Sequence, residues 1–142
     1  MKMAWVTLIL GLVMVSGFAK AAEIPFQGES KADILANLDG HPNEDLIREL
    51  LTNPAATPEI ALFEHDGYQG GSIRLTQSDM NIHQRSFGDK TSSVIVTGSS
   101  VWVLWNDSNF QGSQYNVVEG GYPKASYWGG GNDKVSSVQK LT

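Results

Sequence analysis

The hydrophobic pattern changes period once along this chain. Residues 30–53 space apolar side chains three and four apart, as Ile34, Leu35 and Leu38 and then as Leu46, Ile47, Leu50 and Leu51. That is the stripe of an amphipathic helix. Ser30 with Asp33 resembles a capping box, and Gly40 suits a helix C-terminus. Glu44 and Asp45 place negative charge in the first turn of the second stripe, and Asn53-Pro54 stops it. A short helical hairpin or two loosely joined helices is predicted, serving as a lid on the sheets, a partner-binding element or a linker. From Ile60 onward the period falls to two, with β-branched and aromatic residues between Gly and Ser clusters. Strands are predicted over 60–63, 72–76, 93–97, 101–105, 114–118 and 137–141. Short strands at this spacing, without helices between them, argue for an antiparallel sandwich.

The second half also repeats itself. Phe63-Glu64-His65-Asp66-Gly67-Tyr68-Gln69-Gly70 returns as Trp105-Asn106-Asp107-Ser108-Asn109-Phe110-Gln111-Gly112. Asp89-Lys90-Thr91-Ser92-Ser93-Val94 returns as Asp133-Lys134-Val135-Ser136-Ser137-Val138. One supersecondary unit used twice is the ordinary meaning of such self-similarity. In each copy an aromatic, four residues, a second aromatic, one residue and a Gly set up a hairpin that folds back over its own turn. Ser93 and Ser137 each begin a later strand, where a hydroxyl can bond that hairpin.

The first residues read differently from either pattern. Lys2, the apolar stretch Trp5–Val15 and the small-x-small Ala19-Lys20-Ala21 form a secretory leader with cleavage near Ala21. A retained membrane anchor is the alternative, but the apolar run is short for a span of about 20 residues. With no Cys anywhere, a lipid anchor and disulfide staples are both excluded. The expected localisation is secreted or periplasmic. Without Lys2 and Lys20 the chain keeps 8 basic and 15 acidic residues, a net charge of −7. Residues 22–57 contribute seven acids against Lys31 and Arg48, or −5, and the remainder −2. An acidic chain argues against nucleic acid and anionic membrane as partners, and no stable membrane span is expected after processing.

The doubled aromatic-aromatic-Gly spacing, the two Ser-Ser strand starts and Trp128-Gly129-Gly130 together resemble the βγ-crystallin family, in its microbial calcium-binding type. The resemblance covers roughly Glu59 to Thr142. It implies an all-β, antiparallel Greek-key β-sandwich preceded by a short helical segment. The organisation is then a leader over 1–21, an acidic helical segment or linker over 22–57, and a domain over 58–142. Its two motifs span about 59–98 and 99–142.

Calcium-binding members carry a loop of form [Asn/Asp]-[Asn/Asp]-x-x-[Ser/Thr]-Ser in each motif. Asn132-Asp133-Lys134-Val135-Ser136-Ser137 fits at every position; Gly88-Asp89-Lys90-Thr91-Ser92-Ser93 departs only at Gly88. The resemblance implies two Ca²⁺ sites built jointly by both motifs. Asp89 and Asp133 would give carboxylates, Ser92 and Ser136 hydroxyls, and Lys90, Lys134, Glu64 and Asn106 backbone carbonyls, with Asn132 completing its loop. Independently of any family, Ca²⁺ takes six to eight hard oxygen donors, and these loops offer oxygens without His or Cys. The Gly88 loop lacks one side-chain oxygen, so its site is expected to be the weaker.

His41, His65 and His83 lie far apart and lack ligand spacing, so no metal or catalytic role is expected of them. No Gly-x-Ser-x-Gly elbow or His-Glu-x-x-His is present, and no enzymatic activity is expected. Trp102 and Trp105 fall on opposite faces of one strand, one in the core and one outward. The expectation is an exported, calcium-stabilised structural, envelope or stress-related module. A secreted protease inhibitor of similar fold and a carbohydrate-binding module remain the alternatives, and a protein or glycan partner is left open.

Overall fold

The computed structural model describes residues 28–52 and 57–141. The leader over 1–21, cleavage near Ala21 and the stop at Asn53-Pro54 fall outside the described residues. Two short helices, α1 (Lys31–Ala36) and α2 (Glu44–Thr52), come first. Seven strands follow: β1 (Glu59–His65), β2 (Gln69–Leu75), β3 (Ser93–Thr97), β4 (Trp102–Asp107), β5 (Gln111–Val117), β6 (Gly120–Tyr122) and β7 (Ser137–Lys140).

The strands form two antiparallel sheets, ordered β2-β1-β3-β6 and β5-β4-β7. The second half of the chain lends a strand to the first half's sheet, and the first half returns a single bridge to the second's. β6 pairs with β3, while Asp79 bridges to Val138 on β7. This exchange makes the sandwich a Greek key. The two hairpins have one geometry: Phe63 opposes Ser72 and His65 opposes Gln69, as Trp105 opposes Gln114 and Asp107 opposes Gln111, with the register shifting at Glu64 and at Asn106.

Between the sheets, Ile60, Leu62, Val94 and Val96 meet Trp102, Leu104, Val117 and Val138 in one buried cluster. Strand alternation then turns Ala61, Phe63 and Ile95 outward, yet all three are buried as well. The helices cover them. Ile34, Leu38, Ile47, Leu50 and Leu51 form a second cluster with these residues and Tyr68. Burial on both faces explains why β1 and β3 read as unbroken apolar runs rather than as an alternation.

Local signals set the helix ends. Ser30 Oγ accepts from Asp33 N at 3.1 Å, capping α1 as its spacing suggests. Gly40 does not end α1, which stops at Ala36; it turns the connection four residues later with φ +81°. On β2, Arg74 reaches Glu59 at 2.5 and 3.0 Å and Glu49 of α2 at 2.9 Å. The Glu59 bonds chiefly, and the Glu49 bond with them, push the guanidinium above its ordinary value despite burial. Helix and sheet are thereby tied by charge as well as by apolar contact. Among the described residues no helix is long and apolar enough to cross a membrane.

Candidate metal centre

Both hairpins close by the same device. Gly70 and Gly112 take φ of +82° and +84°, and the rings beside them sit on left-handed Tyr68 (+63°) and Phe110 (+57°). A Cβ at Gly70 would meet His65 Cδ2 at 2.6 Å, and one at Gly112 would meet Asp107 Oδ2 at 2.6 Å. Left-handed backbone in bulky residues costs about 1–3 kcal/mol and persists only where neighbours over-determine it. Here the fixing groups are two buried hydroxyls. Ser93 Oγ accepts from Tyr68 N at 2.9 Å and donates to His65 O at 2.6 Å. Ser137 Oγ accepts from Phe110 N at 3.1 Å and donates to Asp107 O at 2.6 Å. Replacing Ser93 by Ala leaves a buried N–H unpaired at a strained residue, with an expected cost of about 1–3 kcal/mol. Urea unfolding should show a lower midpoint at unchanged slope, and an unmoved midpoint would remove the brace from the account.

The following loops run side by side and exchange contacts. Asp89 and Asp133 are both left-handed, with φ of +56° and +57°. Asp89 N donates to Val135 O, and Asp133 N to Thr91 O. Across the same gap Ser92 Oγ donates to Asp133 Oδ1 at 2.9 Å, and Ser136 Oγ to Asp89 Oδ1 at 3.1 Å. Each hydroxyl is anchored through its own backbone N–H, Ser92 to Phe63 O and Ser136 to Trp105 O. Two pseudo-symmetric cradles result, each joining one motif's hydroxyl to the other motif's carboxylate. A hydroxyl that donates its proton to a carboxylate keeps lone pairs for a cation.

The first cradle opens into a hollow of ≈ 490 Å³. Glu64, His65 and Asp66 of the first hairpin, Asp89, Lys90 and Ser92, and Asn132 and Asp133 line it. Six of the nine expected ligand residues are thus gathered around one space. Four carboxylates face one lysine there, Lys90 Nζ lying 3.9 Å from Glu64 Oε2. The surplus of negative charge and hard oxygen suits a Ca²⁺ ion. Among the described residues no three His, Cys, Asp or Glu side chains gather closely enough to hold a metal ion by themselves, so hydroxyl, backbone and water oxygens would have to complete any shell here.

Ser136 and Asn106 belong to the second cradle, Asn106 at the hairpin bulge that corresponds to Glu64. Lys134 follows left-handed Asp133 with its side chain exposed. This cradle holds a residue the sequence reading leaves aside: His83 Nε2 lies 3.1 Å from Ser136 Oγ. Fifty-three positions separate the two, so no spacing rule links them. The nearest clue was Gly88 itself. Its missing side chain makes room for the imidazole, since a Cβ there would fall 1.9 Å from His83 Nδ1.

The helical segment also touches the first hairpin. His41 Nε2 lies 2.6 Å from Gly67 O, and Asn43 Nδ2 donates to Tyr68 O at 2.9 Å and Gly70 O at 3.1 Å. Tyr68 OH donates to Glu29 Oε1 at 2.6 Å. Burial first, and then the Glu29 carboxylate, pushes the Tyr68 phenol well above its ordinary value, so it stays a donor. Trp102 is fully buried, while Trp105 is half-buried and donates Nε1–H to Gln139 at 3.1 Å.

A family model described as Beta/Gamma crystallin matches residues 59–141. Over 84 residues the chain is 38% identical to a "Beta/gamma-crystallin" of Ciona intestinalis, covering 58% of this chain and 96% of that protein. It is 39% identical over 75 residues to the human "Beta/gamma crystallin domain-containing protein 1", covering 53% of this chain but only 4% of that much longer relative. The solved Ciona structure superposes with a TM-score of 0.56 at 34% identity, over 58% of this chain and 99% of that one. An archaeal betagamma-crystallin gives 0.54 at 22% identity over 60% and 99%, a likeness of fold.

Proposed function

The chain belongs to the βγ-crystallin family, and on that premise we propose that it is a non-enzymatic calcium-binding domain stabilised by its ion. One observation carries the proposal: Ser92 and Asp133, from different motifs, meet at 2.9 Å beside a hollow lined by four carboxylates. Asp133, Ser92 and Asn132 would hold Ca²⁺ there, with Glu64 and Lys90 supplying backbone oxygen and water completing the shell. Asp89, Ser136, Asn106 and Lys134 form the corresponding set in the second cradle. With few carboxylates bound directly, affinity should fall in the range of about 10⁻⁶ to 10⁻³ M, that of sensors and extracellular modules.

The mechanism is linkage. An ion that binds only the folded chain adds RT ln(1 + [L]/Kd), about 2.7 kcal/mol at one hundred times Kd. Because each cradle draws on both motifs, the ion joins the two halves, and unfolding either half releases it. The work proposed for such a module is structural, at the envelope or outside the cell after removal of the leader, or in response to stress.

Calorimetry and thermal melting of the chain from Ala22 onward, with and without CaCl₂, test this directly. Heat of binding and a higher melting temperature are expected. Asp133→Ala should lose the tighter binding event. Absence of both signals at millimolar calcium would sink the proposal, and full binding by Asp133→Ala would move the site elsewhere.

A further inference from the structure

The two cradles differ in one chemically decisive way. In the first, Asn132, a residue with a side-chain oxygen, lines the hollow; in the second, the corresponding position is Gly88 and an imidazole stands in its place. His83 is held there by the fold. The short turn Ile82–Arg85 is pinned by the fully buried Ile82, whose N–H donates to Ser136 O at 3.0 Å. Asn81 Oδ1 accepts from His83 N at 3.1 Å, and Arg85 pairs with Asp79. The second hairpin leans on the same turn, Asn109 N donating to Met80 O at 2.7 Å. The matching turn Ala125–Tyr127 puts no side chain into the hollow of the first cradle.

We propose that the second cradle is a distinct site for a borderline divalent cation such as Zn²⁺ or Ni²⁺, bound by the His83 imidazole, the Asp89 carboxylate and the Ser136 hydroxyl. The inference rests on the cradle architecture of the calcium reading and departs from it in the ion. His83 Nε2 and Asp89 Oδ1 each lie 3.1 Å from Ser136 Oγ. Cis donors around an ion with metal–ligand bonds of about 2.1 Å stand about 3 Å apart, the spacing that His83 and Asp89 each keep from the shared Ser136 hydroxyl. Ca²⁺ gains little from a nitrogen donor and has lost an oxygen at Gly88. Imidazole with carboxylate suits Zn²⁺, Ni²⁺ or Cu²⁺ instead. His83 is exposed, so the ion can reach it, and a neutral imidazole offers the Nε2 lone pair in one of its tautomers. Three protein donors leave positions for water.

Two metal titrations on the chain from Ala22 onward decide the matter. ZnCl₂ is titrated calorimetrically in calcium-free buffer and again under saturating CaCl₂. One Zn²⁺ equivalent is expected in both, weakened roughly tenfold or more by His83→Ala while calcium binding at the first cradle is unchanged. His65→Gln, beside the first cradle, should leave Zn²⁺ binding intact. Gly88→Asn displaces the imidazole and restores an oxygen, so it should trade Zn²⁺ affinity for tighter calcium binding at the second cradle. Absence of Zn²⁺ binding, Zn²⁺ binding indifferent to His83→Ala, or full displacement of Zn²⁺ by Ca²⁺ overturns the proposal. The calcium-free arm keeps its failure separate from failure of the calcium reading. Melting curves of His83→Ala without metal should match the parent, since the side chain is exposed.

Discussion

Removing residues 22–57 is expected to produce a chain that either self-associates or melts tens of degrees lower. Ile34, Leu38, Ile47, Leu50 and Leu51 are all at most 4% exposed, packed on Ala61, Phe63 and Ile95. Each buried aliphatic side chain contributes about 1.5–3 kcal/mol, an upper estimate offset by the cost of ordering the segment. Truncation also uncovers a continuous apolar face in place of a covered one. A net loss of even about 3 kcal/mol lowers Tm by roughly 12–24 °C for a domain of this size. Scanning calorimetry with sedimentation at two concentrations would detect either outcome. Ile47→Asp probes the same contact without changing chain length. A truncated monomer with the parent's Tm would show that the helices merely rest on the sheet.

The second large effect lies at Trp102. Its ring is fully buried among Leu104, Val117 and Val138, while its Nε1–H has no hydrogen-bond partner among the described residues. Two terms therefore oppose each other. The ring contributes area and fills volume, whereas the N–H has lost water without gaining an acceptor. Trp102→Ala should cost about 3–5 kcal/mol through the lost area and the cavity left behind. Trp102→Phe removes the unpaired donor together with part of the ring, so its cost should be far smaller. Urea midpoints for the pair separate volume from polarity. Equal losses in both variants would mean that the indole N–H is satisfied in solution.

The same balance of local and distant causes explains what could be read from the sequence. The hairpins were legible because Phe63, Tyr68 and Gly70, like Trp105, Phe110 and Gly112, act within eight residues, where spacing is geometry. Ser30 was legible for the same reason. β6 was not, because Gly120-Gly121-Tyr122 carries the signature of a turn. Its glycine answers a distant demand: a Cβ at Gly121 would meet Tyr68 OH at 2.3 Å and Ile34 Cδ1 at 2.5 Å. The docking of α1 and α2 was equally hidden. An amphipathic stripe states that it needs a cover without naming one, and these helices lie outside the residues 59–141 that match the family. Of the candidate ligands, the loop residues stood out by repetition. His83 has no repeat partner and reaches Ser136 only through tertiary folding.

The crossed bond of each hydroxyl with the other motif's carboxylate has a consequence for the connection at residues 98–101. Severed there, the fragments would carry Ser92 with Asp89 on one side and Ser136 with Asp133 on the other. Neither fragment owns a whole cradle, although each owns a hydroxyl and a carboxylate. The domain is in effect a dimer of half-domains whose partner is supplied in cis, and the four-residue tether acts as a local concentration that two free halves would have to match from solution. On the proposed reading, ion binding would report whether the two halves are together, and the tether at 98–101 would keep that answer independent of how dilute the protein becomes.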